Sequence, residues 1–334
     1  MNKNNHLPIL APSTGIALKN VDKALKITNK ILANIDTFDK DWDWWLSLSD
    51  MWRIFFLKDG LQLDCVDYER KLNENYKTCD LIITKVNIDW FNKDLMKDYI
   101  KQILALTFLR LNQNQINDIS ALSNLTNLTV LNLGGNQISD ISILANLTNL
   151  TKLFLSGNPI NDTSVLTKLI HLTCVDLQSD NISDISFLAN LTNLTELFLI
   201  KSQISDIYAL ENLVNLTWLN LTGNLISDIS VLENLNNITN LYLNNNNISD
   251  ISVLESLNNL NSLGLDNNKI TDISVLANLT KLTELSLRDN PISDITVFKN
   301  LKNLTKLNLK GQQISRNDIN WIQQQLPNCL IFTF

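Results

Sequence analysis

From Leu106 onward the apolar positions recur with a period of 22 residues. Each period carries leucines spaced LxxLxL, as at Leu128, Leu131 and Leu133, at Leu216, Leu219 and Leu221, and at Leu304, Leu307 and Leu309. The alternation at the end of that motif predicts a short strand, with its two leucines on one face and the intervening residues on the other. A polar turn follows. The rest of the unit, NxIxDIxxLxNLxNL, then returns isoleucines and leucines to the interior. One unit cannot cover its own leucines, but stacked units can, at about 1.5–3 kcal/mol per buried side chain. The pattern therefore predicts ten units and a half unit in one continuous solenoid, with a parallel sheet of about 11 strands and right-handed coiling.

The ninth position of each unit reads Asn114, Asn136, Asn158, Asp180, Ser202, Asn224, Asn246, Asn268, Asn290 and Gln312. An asparagine amide donates and accepts at once, so a buried column of amides can satisfy backbone groups in successive turns. Ionised Asp180 could only accept and Ser202 is short, so this column should be weakest between residues 178 and 203. A second column, Asp118 to Asp294 at 22-residue intervals, is read as turn and helix-start acceptors.

The chain divides into a tail and helix over residues 1–40, a Trp-rich, mainly helical cap over 41–103, and the repeats over 104–334. The first helix is expected over residues 18–35, with Val21, Leu25, Thr28, Ile31, Leu32 and Ile35 near one face. The segment DWDWWLSLSDMWRIFFLKDG gathers Trp42, Trp44, Trp45 and Trp52 with Phe55 and Phe56, and NKDLMKDYIKQIL predicts a helix leading into the first strand. A less regular stretch lies between them, to about residue 91. At the other end, a helix over 318–325 precedes a last strand in which Leu326, Cys329 and Ile331 keep the leucine spacing. Cys329 is thus read as a buried hydrophobe.

With LTNLTVLNLGGNQISDISILANLTNL in view, residues 106–334 resemble the 22-residue leucine-rich repeats of bacterial internalins and of the eukaryotic regulators of type 1 protein phosphatase. The resemblance implies an α/β fold, a leucine-rich repeat solenoid closed by an α-helical N-terminal cap. It also implies a curved, non-enzymatic binder that grips a protein or peptide on its concave strand face. The segment WWLSLSDMWRIFF resembles one that precedes the repeats in cytoplasmic bacterial leucine-rich repeat proteins.

Charge and chemistry narrow the partner. The net charge of -7 falls wholly on residues 104–334, because residues 1–103 hold 15 basic and 15 acidic side chains. Most of that acidity is the regular aspartate column, and no basic stripe suited to a nucleic acid is visible. No apolar run approaches the roughly 18–20 residues that span a membrane, and MNKNNHLPILAPSTG lacks the basic-then-apolar order of a secretory signal. A cytoplasmic monomer is expected, with Cys65, Cys79, Cys174 and Cys329 reduced. No phosphate loop, dinucleotide fingerprint, HExxH or cysteine cluster occurs, so neither cofactor nor metal is expected. His6 and His171 have no nucleophile and carboxylate around them, and the chain is read as non-enzymatic.

Strand alternation turns three columns of residues outward. Phe154, Phe198, Ile200, Trp218 and Tyr242 gather there in units three to seven, with Lys152, Asp176, Glu196 and Lys201 around them. An apolar, aromatic centre with a charged rim is the anatomy of a protein-binding hot spot. Ser262 and Gly264 make the next units look bare, and Cys174 is placed on the outward face. The candidate partner-binding residues are Phe154, Asp176, Glu196, Phe198, Ile200, Lys201, Trp218 and Tyr242. The alternative is a sensor or targeting subunit whose N-terminal 103 residues dock to or regulate a separate effector.

Overall fold

The computed structural model describes residues 38–61, 66–73, 78–86, 91–178, 182–312 and 314–333. The helix expected over residues 18–35 and the Asp180 position of the amide column lie outside them.

Ahead of the repeats, α1 (Phe38–Ser47) and α2 (Asp50–Ile54) form around the tryptophans. Ser49 caps α2, its hydroxyl accepting the Trp52 backbone N–H. The Phe56 ring packs 5.6 Å from Trp44 and 5.4 Å from Trp52. Arg53 is only 4% exposed in this cluster. Its guanidinium donates to the Trp45 and Leu46 carbonyls at the end of α1, and to Asp50. A π turn at Phe55–Gly60 follows.

Next comes an antiparallel hairpin, β1 (Val66–Asn73) with β2 (Thr78–Val86), where the sequence suggested only an irregular link. The aliphatic and β-branched run Leu81, Ile82, Ile83 and Thr84 suits a strand, so the cap is less uniformly helical than expected. The helix α3 (Lys93–Leu104), capped by the Asn92 side chain, then leads into the first repeat strand. Buried side chains of α1, α2 and α3 continue into the leucines of the repeats as one core. Among the described residues no helix is long and apolar enough to cross a membrane.

The repeats follow as eleven strands of three residues, β3 (Phe108–Arg110) to β13 (Leu330–Phe332), joined in chain order into one parallel sheet. From β3 to β12 (Lys306–Asn308) the pairing steps by one unit, as in Leu131 with Leu153 and Leu219 with Leu241. The central residue of each of these strands is buried. On the return side the chain makes short 3-10 turns, such as Ser142–Asn146. Each is started by the aspartate column: Asp118, Asp206 and Asp294 each accept the backbone N–H two residues on, at 2.8 Å.

The amide column behaves as its chemistry requires. Asn246 donates to the Leu221 and Leu243 carbonyls and accepts the Ile226 N–H, all at 3.0 Å. Asn136, Asn158, Asn224, Asn268 and Asn290 repeat the arrangement, and Gln312 ends it by donating to Leu287 at 2.6 Å. Ser202 is buried in the same column at 7% exposure, with its hydroxyl 3.5 Å from the Ile200 carbonyl.

The C-terminal end departs from the sequence reading. A ten-residue helix, α4 (Arg316–Gln325), closed by a capping box between Ser315 and Asp318, replaces the usual five-residue turn. The longer element moves the last strand on by two positions, so Leu307 pairs with Ile331 rather than with Cys329. Cys329 is buried just before β13, and Leu330 and Phe332 emerge exposed on the strand face.

Candidate functional site

Three consecutive strands carry the aromatic residues: β7 (Glu196–Phe198), β8 (Trp218–Asn220) and β9 (Asn240–Tyr242). Their central leucines point inward, which forces the flanking residues outward. The Phe198 and Trp218 rings stand 6.0 Å apart and the Trp218 and Tyr242 rings 6.1 Å apart, tilted by 47° and 38°. Such offset, tilted pairs suit the ring quadrupoles. Trp218 is the most open, at 38% exposure.

Tyr242 is held at its far end. Its hydroxyl lies 3.0 Å from the Ser262 hydroxyl on β10 (Ser262–Gly264). A Cβ on Gly264 would stand only 3.0 Å from the ring carbon Cδ1 of Tyr242 and 2.8 Å from the Asn244 amide. The two small residues that look bare in sequence thus seat the tyrosine ring. Beyond it a hollow of about 460 Å³ opens, bounded by Ser286, Lys306 and Phe332.

On the other flank, β5 (Lys152–Phe154) and β6 (Cys174–Asp176) set Phe154 and Phe198 on either side of Asp176. Phe154 is therefore not part of the ring run; Asp176 stands between. Burial pushes the Asp176 carboxyl up from its ordinary value, opposed by a hydrogen bond from Ser156. Cys174 shares the strand face but is 1% exposed, not open as the alternation suggested. Longer neighbours, Lys152 and Glu196, stand on the flanking strands. Burial, reinforced by Glu196, pushes the thiol up to about 12, against a smaller opposing effect of Lys152. Such a thiol is no nucleophile.

Glu196 and Ile200 are half-buried at the margin of the ring run, and Lys201 is exposed. Lys201 has a left-handed backbone, φ 50°, at a turn position held elsewhere by Gly135, Gly157, Gly223 and Gly311. The Lys201 side chain lies against Gly223 of the next unit. Of the candidate residues the structure joins Phe198, Trp218 and Tyr242 directly. Sequence reasoning missed Ser262, whose hydroxyl has no signal of its own in the leucine pattern.

A second concavity of about 770 Å³ lies between the cap and the first repeat, lined by Trp44, Trp52, Phe55, Ile116 and Asp118 among others. Trp44 Nε1 itself is buried, without a hydrogen-bond partner among the described residues.

The sequence pattern of the family described as Leucine Rich repeats (2 copies) matches residues 105–146, 148–190, 236–278 and 280–324. Among solved structures, an internalin (InlF) from Listeria monocytogenes is 39% identical, with a TM-score of 0.61, over 70% of this chain and 75% of that one. A leucine-rich repeat protein of Leptospira interrogans is 28% identical, with a TM-score of 0.64, over 70% of this chain and 62% of that one. No curated protein matches the sequence. Leucine-rich repeat folds generally mediate protein–protein interaction. Period, sheet and relatives agree: this chain belongs to the leucine-rich repeat family, in the form seen in the bacterial internalins.

Proposed function

We propose that this chain is a non-enzymatic binder that holds a protein or peptide on its strand face through Phe154, Asp176, Glu196, Phe198, Ile200, Lys201, Trp218 and Tyr242. The observation that carries this reading is the run of Phe198, Trp218 and Tyr242, three rings in contact across three strands on an outward face. No ring exceeds 38% exposure, so at roughly 150–250 Å² per aromatic the four rings, Phe154 included, leave at most about 230–380 Å² open. Patches of that size on a monomer are often functional.

The test is capture of a partner from native lysate with the full chain and with Phe198→Ser plus Trp218→Ser, followed by calorimetry on the purified pair. The double variant should melt at the parent temperature yet lose the partner; retention at parent affinity sinks the reading. A second reading, docking through residues 1–103, is favoured by the groove that Trp44, Trp52 and Phe55 line beside the first repeat. Under it, Trp44→Phe would weaken capture and the strand-face double variant would not.

A further inference from the structure

Asp176 occupies an unusual place on the strand face. Phe154 and Phe198 pair with it from the strands on either side, about 4.8 Å away along the sheet. Among the described residues no lysine or arginine forms an ion pair with it. From the adjoining column of the same strands come Lys152, Cys174 and Glu196. The Cys174 thiol stays neutral at physiological pH, and Lys152 and Glu196 are opposite in sign.

Building on the strand-face reading above, we propose that Asp176, between Phe154 and Phe198, receives a basic side chain of the docked protein, an arginine or a lysine. An apolar residue beside that basic group covers Trp218 and Tyr242. The reason lies in what docking does to the carboxylate. A partner seated on the ring run removes the water that still reaches Asp176, and a stripped carboxylate is costly without a counter-charge. A cation seated there gains the carboxylate and the two neighbouring rings together. A planar guanidinium suits the slot best, because it stacks on rings while its edge donates to the carboxylate. An acidic or wholly apolar segment meets the opposite balance. Desolvation of Asp176 in the free protein points the same way.

The experiment pans a display library of short random peptides against the full chain, with Trp218→Ser as counter-selection, so that the probes are specific to this face. Enriched peptides should carry Arg or Lys beside an aromatic or aliphatic residue. Asp176→Asn should weaken them by at least about tenfold. Replacing the basic residue of the peptide by Gln should weaken binding to the parent chain by a similar factor, and the two losses should not add. Enriched peptides without a basic residue, or ones bound equally by Asp176→Asn, overturn the cation pairing and leave strand-face binding standing. Failure to enrich any peptide that needs Trp218 overturns both.

Discussion

Asn224 crosses the unit boundary to Leu199: its Nδ2 donates to the Leu199 carbonyl at 2.8 Å. Its Oδ1 accepts the Ile204 N–H at 3.2 Å, so a single amide ties two units. One unit earlier the same place is held by Ser202, which cannot span both sides.

Restoring the amide at that place should therefore stabilise the chain. Ser202→Asn is expected to add about 1 kcal/mol, the net worth of an internal hydrogen bond. Asn246→Ala should remove about 2–4 kcal/mol, because buried backbone groups of two units lose their partners together. Urea unfolding of the two variants checks both signs.

Trp218 and Leu219 are adjacent in sequence and should separate function from stability. Leu219 is fully buried, and Leu219→Ala should destabilise by about 2–5 kcal/mol. Trp218→Ala should change stability by less than about 1 kcal/mol, as surface changes do, while removing the centre of the ring run. Thermal melts beside a binding assay distinguish the two outcomes.

The acid limb of stability should carry two opposing contributions. Asp140, Asp162, Asp184, Asp228, Asp250, Asp272 and Asp294 are held below the ordinary carboxylate value of 3.8, chiefly by the backbone N–H two residues on. Their folded forms give up the proton more readily than the unfolded chain, so this stabilisation is full above that value. It is lost as pH falls through the folded values. Replacing Asp228, Asp250 and Asp272 by Ala should flatten the loss.

Asp176 has the reverse sign. Its folded pKa is raised, so ionisation weighs against the folded state. The penalty is full above the folded value and vanishes below 3.8. Asp176→Asn should raise stability near neutral pH and leave it unchanged in strong acid, in denaturant titrations at each pH.

Thiol labelling offers a probe of opening. The Cys174 and Cys329 thiols are pushed up to about 12 and about 11, largely by burial. Iodoacetamide near pH 8 should leave both unmodified in the folded chain and label them only as fast as their regions unfold, read by peptide mass.

Most of the repeat architecture was legible because it rests on spacing alone. The leucine period and strand alternation are local rules, and the amide column follows from what one side chain can donate and accept. Three features escaped for physical reasons. The match of Leu326, Cys329 and Ile331 to the leucine spacing is a coincidence, overridden by the longer α4. Cys174 and Ser262 were read as open because alternation tells which way a side chain points, not how far its neighbours lean across it. Arg53, a lone cation among aromatics, gives no sign in sequence that three carbonyl contacts await it at the end of α1.

The substitution at Ser202 also has a mechanical meaning. In a stack where each unit touches only its neighbours, a missing tie cannot be made good elsewhere, so the array has a seam at that joint. Asp176 and Phe198 face each other across it, one on each of the two units that meet there. Anything clamped across that pair would brace the joint from outside, and the coil would bend less when occupied than when empty.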